Sequence, residues 1–79
     1  MTSIWRLPRA LSESGKTRSP WYQDIAIGLM TRPVKIGPRA AGWPADEVQA
    51  VIAARISGAS DADIRKVVER LHTARKGAR

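Results

Sequence analysis

Apolar residues recur along most of this chain at three- and four-residue steps, the spacing of one helix face. Leu7 and Leu11 lie four apart with Ala10 beside them, and Gly15 follows. This predicts a short helix over residues 7–14, stopped by a glycine suited to the left-handed conformation. Trp21, Ile25 and the pair Gly28-Leu29 predict a second helix over residues 19–27. Ser19 as N-cap with Pro20 at the first helical position is its natural start, because proline there lacks only an amide that would be unbonded. The alternative is Thr17 as N-cap, which puts Pro20 third. Val48, Val51, Ile52 and Ile56 form the stripe of a third helix over residues 45–57, with Asp46 and Glu47 at its positive end and Arg55 at its negative end. Ile64, Val67, Val68 and Leu71 form the stripe of a fourth, over residues 61–74. It opens on Ser60-Asp61-Ala62-Asp63, a capping box with Asp in place of Glu. Residues 1–4 and 75–79 read as tails, the second basic and frayed.

Between the second and third helices the period changes. Val34-Lys35-Ile36 alternates as a half-buried strand does, Gly37-Pro38-Arg39-Ala40 is turn material, and Ala41-Gly42-Trp43 returns as a second strand. So short a hairpin is unstable alone and must lean on the helices, with Trp43 as its anchor. Two helices joined by a tight turn and followed by a hairpin are the order of a winged helix-turn-helix. The expected fold is therefore mostly α with a small β-hairpin: a winged helix-turn-helix over residues 1–57 plus an additional C-terminal helix and basic tail over residues 58–79. The expected core is Leu7, Leu11, Trp21, Ile25, Val34, Ile36, Trp43, Val48, Val51 and Ile52. The stripe Ile64, Val67, Val68 and Leu71 either packs on that core or is given to a neighbouring molecule. The first reading is favoured, because a chain of 79 residues buries only about 60% of its unfolded surface and needs all its apolar area.

Composition narrows the function. The chain has no Cys and one His, so it offers no disulfide, no thiol nucleophile and no zinc tetrad. A Cys-free small domain without staples fits a reducing cytoplasm. Neither a signal-peptide run nor an apolar stretch of about 20 residues is present, so no membrane partner is expected. Fourteen basic against seven acidic residues leave a net charge of +7, which points to a polyanionic partner. The excess is uneven. Residues 1–44 carry Arg6, Arg9, Lys16, Arg18, Arg32, Lys35 and Arg39 against Glu13 and Asp24, whereas residues 45–79 carry seven basic against five acidic side chains. Ser14-Gly15-Lys16-Thr17 echoes a phosphate-binding loop, but Ala10 stands where that motif needs its first glycine, and a helix precedes it where a strand belongs. No acid–base pair, metal cluster or nucleophile–base spacing rises above chance, so an enzyme, a cofactor and a small-molecule substrate are not expected.

Arg6-Leu7-Pro8, Thr17-Arg18-Ser19 leading to Tyr22, Pro33-Val34-Lys35-Ile36-Gly37-Pro38-Arg39-Ala40, and Gly42-Trp43-Pro44 with Glu47-Val48 stand in a fixed order. In these residues the chain resembles the AlpA family of phage regulatory proteins and the related excisionases, small winged-helix proteins of the MerR-like kind. The resemblance spans residues 4–56. Pro20, Trp21 and the fourth helix depart from the family pattern.

The resemblance implies double-stranded DNA binding on the bacterial nucleoid, with the second helix in the major groove and the wing on phosphates or the minor groove. On this reading Lys16, Thr17, Arg18, Ser19, Tyr22 and Gln23 make the recognition-helix contacts. Arg is suited to guanine and Gln to adenine. Lys16 would hold a phosphate, and Asp24 would face away or read a cytosine amino group. Arg32, Lys35 and Arg39 make the wing contacts. The bland reading of the same residues is a solvated helix face and a charged strand edge. His72 reads as a surface or helix-end residue. Trp21 and Trp43 read as core rather than stacking platforms, and Trp5 is open.

The leading expectation is an excisionase, a recombination directionality factor of a prophage or integrative element. It would bind repeated sites cooperatively by self-association and bend DNA for a phage-type integrase. The alternatives are an AlpA-type transcription activator of an integrase gene, a protein-only adaptor on the integrase, and a small basic RNA-binding protein. Low aromatic content weighs against the last.

Overall fold

The computed structural model describes residues 3–77. Four apolar stripes fold as four helices: α1 Leu7–Ser14, α2 Arg18–Ala26, α3 Ala45–Ile56 and α4 Asp61–Gly77. Three short strands accompany them: β1 Ile4–Trp5, β2 Val34–Gly37 and β3 Ala40–Pro44. The molecule is thus mostly helical, with one antiparallel sheet in the order β1-β3-β2. No helix among the described residues is long and apolar enough to cross a membrane.

The helix ends follow local chemistry. Gly15 takes φ 74° and donates its amide to the Leu11 carbonyl at 2.9 Å, closing α1 in the left-handed conformation glycine adopts without a steric cost. Ser60 Oγ accepts the Asp63 amide at 3.2 Å, the expected half of the capping box at the start of α4. The start of α2 differs from the favoured expectation. Thr17, not Ser19, is the N-cap, and Pro20 sits third in the helix. Amides throughout the first turn have no intrahelical acceptor, so proline is tolerated there beyond the first position.

The tail expected at residues 1–4 is in part a strand. Ile4 pairs with Pro44 and Trp5 with Trp43, and the Ser3 carbonyl accepts the Ala45 amide at 2.7 Å. That last bond supplies an acceptor at the start of α3, whose N-cap, Pro44, has no side-chain cap. Gly42 permits the pairing: a Cβ there would stand 2.5 Å from Ile4 Cγ2 and 3.0 Å from the Trp5 carbonyl oxygen. The basic tail also proves shorter than expected. α4 continues to Gly77, and residues 78 and 79 lie outside the described residues.

The core is built around two tryptophans. Trp21 of α2 and Trp43 of β3 are fully buried and meet edge to face, with centroids 5.2 Å apart and planes at 80°. The Trp43 indole donates to the Thr31 carbonyl at 3.0 Å. Val48, Val51, Ile64 and Val68 close around them, with Leu7, Leu11, Ile25, Ile52 and Leu71 packed at the margin. The α4 stripe therefore packs internally. Ile64 and Val68 are buried in the chain's own core, Leu71 packs on it and Val67 is half-buried, so the reading that gives this stripe to a neighbour is corrected. The loop Leu29-Met30-Thr31 is buried, of which the apolar spacing signalled only Leu29, and Trp5 is buried as well.

Ile36, expected in the core, is 43% exposed, while Val34 is half-buried. The cause is a β-bulge. Lys35 pairs with Ala41 and Gly37 with Ala40, which leaves Ile36 without an opposite residue and interrupts the alternation that would have turned it inward.

Candidate nucleic-acid interface

α2 has a distinct inner and outer side. Trp21 and Asp24 are buried and Ile25 is half-buried, one helical face at steps of three and four. Arg18, Ser19, Tyr22 and Gln23, all exposed, form the other face, and Thr17 is exposed at the N-cap. Tyr22 is not loose. Its ring lies edge-on to Trp43 at 6.3 Å, and the Arg18 guanidinium stands 5.9 Å from its centroid. Neither the Arg18 nor the Ser19 amide has an acceptor within the helix, and Pro20 has no N–H. The start of this helix therefore presents a cation, hydroxyls and free amides together.

Lys16 behaves differently from the expected phosphate ligand. Its ammonium is in contact with Asp24 Oδ2, and Arg55 of α3 approaches the same oxygen at 3.4 Å. Asp24 is only 7% exposed, so it faces inward, where two cations compensate its charge. Lys16 serves this buried carboxylate and fixes the α1–α2 turn against α3.

The hairpin β2–β3 closes through the two-residue turn Pro38-Arg39. Lys35 and Arg39 are exposed along it. Arg32 lies just before β2, exposed, and α4 holds its backbone from both sides. Its amide donates to His72 Nε2 at 3.0 Å, and its carbonyl accepts from Arg75 Nη2 at 2.7 Å. Arg75 also donates through Nε to Glu47 Oε2 at 2.8 Å, and its Nη2 contacts Glu47 Oε1. Glu47 is 5% exposed. At the other end of α4, Arg65 Nε donates to the Ile27 carbonyl at 2.9 Å, just beyond α2. One helix therefore braces the end of α2 and the base of the hairpin.

The sequence reading missed this brace. It placed His72 at the surface or a helix end and Arg75 in a frayed tail. The bonds span 28 to 43 positions, and no local pattern signals partners so far apart. His72 is held below its ordinary histidine value first by burial, then by the charges of Arg32 and Arg75, against an opposing pull from Glu47.

The ion pairs shape the surface charge. Glu13 pairs with Arg9 at 3.5 Å and Asp24 with Lys16, so both acidic side chains of residues 3–44 are engaged nearby. Among the described residues, Arg6, Arg18, Arg32, Lys35 and Arg39 have no acidic side chain in ion-pair reach. The chain matches no family model, no curated protein and no solved structure. What the site can do follows from its own groups. Guanidinium and ammonium groups, hydroxyls and free amides are donors for phosphate and for base edges. Among the described residues no three His, Asp or Glu side chains gather as a metal site.

Proposed function

We propose that this chain is a sequence-specific double-stranded DNA-binding protein of a mobile element. α1 and α2 act as a helix-turn-helix and β2–β3 as its wing. The observation that carries the reading is the unbalanced charge: among the described residues Arg18 on α2, Arg32, Lys35 and Arg39 at the hairpin, and Arg6 before α1 have no acidic partner, while Glu13 and Asp24 are taken up in ion pairs. Arg18, Ser19, Tyr22 and Gln23 read base edges in the major groove. Arg32, Lys35 and Arg39 follow the backbone or an adjacent minor groove. The resemblance to excisionases and AlpA-type regulators extends this to a recombination directionality factor, with several copies on adjacent sites and a bent duplex for an integrase to act on. Activation of an integrase promoter would use the same contacts.

The test is selection of duplexes from a random-sequence library, followed by titration of the enriched duplex at several salt concentrations. Arg18→Ala is expected to lose discrimination by about 1–3 kcal/mol at one base position. Lys35→Ala is expected to weaken enriched and random duplexes alike and to reduce the salt slope by about 1. Equal effects of both variants on both duplexes would remove the assigned roles. Failure to enrich any duplex, with tighter binding to single-stranded RNA, would replace DNA by RNA as the partner.

A further inference from the structure

We propose that Ile36 is an apolar wedge that enters the minor groove and opens a base step, so that the hairpin kinks the duplex as well as gripping it. The inference rests on the DNA-binding reading above and adds to it the side chain that bends. Three observations meet at this residue.

The bulge is the first. Regular pairing of β2 on β3 would put Ile36 on the face of Val34, against the core. The unpaired position instead leaves it 43% exposed; Ile4, Ile27 and Ile56 are exposed as well, and what sets Ile36 apart is the bulge that turns it out. Bulges bend a strand and re-aim the side chain they carry. A chain this small gains most by covering an isoleucine, so one turned outward by a specific backbone feature is a candidate for contact with something else.

The second is what flanks it. Lys35 precedes Ile36, and Gly37, Pro38 and Arg39 complete the hairpin tip. Lys35, Pro38 and Arg39 are exposed, and neither basic side chain has an acidic partner among the described residues. An aliphatic side chain between two cations, beside a glycine and a proline, matches the electrostatics of a phosphate-lined groove with stacked bases at its floor. Isoleucine and proline are among the side chains that minor-groove proteins insert between base pairs.

The third is rigidity. A wedge works only if its base does not yield. Here the hairpin base is held at Thr31 by the Trp43 indole and at Arg32 by His72 and Arg75. Arg75 is itself fixed on buried Glu47.

The experiment is ring closure by ligase of a fragment of about 100 base pairs, shorter than the persistence length of about 150 base pairs, so that closure reports bending. The fragment carries the sequence enriched in the selection described above. Each variant is used at a concentration that saturates the fragment by fluorescence anisotropy. The wild-type chain is expected to accelerate closure, and saturating Ile36→Ala to close rings about tenfold more slowly or worse. Ile36→Leu restores closure, because it keeps an aliphatic wedge. Lys35→Ala needs more protein to saturate the fragment, as expected of a phosphate contact. Closure by saturating Ile36→Ala at the wild-type rate would overturn the proposal, as would a saturating wild-type chain that closes no rings. An Ile36→Ala variant that changes only self-association in sedimentation would assign the side chain to a second copy and also overturn it. A wild-type chain that enriches no duplex would instead sink the DNA reading, and the wedge with it.

Discussion

His72 accepts the Arg32 amide proton only while its Nε2 is unprotonated. Burial and the neighbouring Arg32 and Arg75 charges favour that neutral form and lower its pKa. In the unfolded chain the ring titrates near its ordinary value of about 6.5. Because the unfolded state takes up the proton first, the stability tied to this bond is complete above about pH 6.5 and is lost as pH falls through the folded value. Urea midpoints are expected to drop as pH is lowered through this range. His72→Gln, whose amide oxygen accepts the same bond without titrating, should flatten the drop. An equal drop in the variant would show that other groups cause it. At this scale the sequence was legible where a side chain answers to its own helix face, as with Trp21, Val48 and Val51. Ile36 escaped because one extra residue in β2 reverses a period-two pattern, and that extra residue has no signature in composition.

At the scale of elements, the engaged carboxylates Glu47 and Glu13 call for losses of different size. Glu47 is buried against Arg75, so Arg75→Ala leaves a charge with no partner and breaks a bond to the hairpin base. The expected loss is about 3 kcal/mol, read from thermal or urea unfolding. Glu13 pairs with Arg9 at the surface, where the Arg9 guanidinium also sits 5.0 Å from the Trp5 ring centroid. Arg9→Ala is expected to cost about 0.5–1 kcal/mol by the same measurement. If the two variants cost the same, α4 is not the brace of the hairpin. α1, α3 and α4 could be read from their stripes and caps. The start of α2 was misplaced because proline fits anywhere in a first turn, so Pro20 does not specify which residue is the cap. β1 was missed for a different reason. Two residues cannot show a period, and their pairing depends on Gly42 some forty positions away.

For the molecule as a whole, α4 decides whether the rest holds together. It contributes Ile64 and Val68 to the core, with Leu71 at its margin, and its polar side chains reach Ile27, Arg32 and Glu47. A chain truncated before Asp61 is therefore expected to be largely unfolded by far-ultraviolet circular dichroism at room temperature. Removing three aliphatic side chains, at about 2–5 kcal/mol each, is comparable to the whole margin of about 4–12 kcal/mol typical for this length. A truncated chain that keeps native helicity and unfolds cooperatively would show that α4 is an appendage. The order of helices and hairpin was visible in the sequence, and so was the concentration of positive charge before residue 45. The cooperation between them was not, because it runs through contacts of high sequence separation that patterning does not encode.

The capture of Arg32 by His72 and Arg75 also has a consequence in time. The bond from Arg75 to the Arg32 carbonyl closes a span of 43 positions. A chain made from its N-terminus outward completes α2 and the hairpin before α4, and contacts of this range are slow to form. During synthesis the cationic half is present but unbraced, so its charge is available before its shape is. The braced geometry of that half is the part of the structure acquired last.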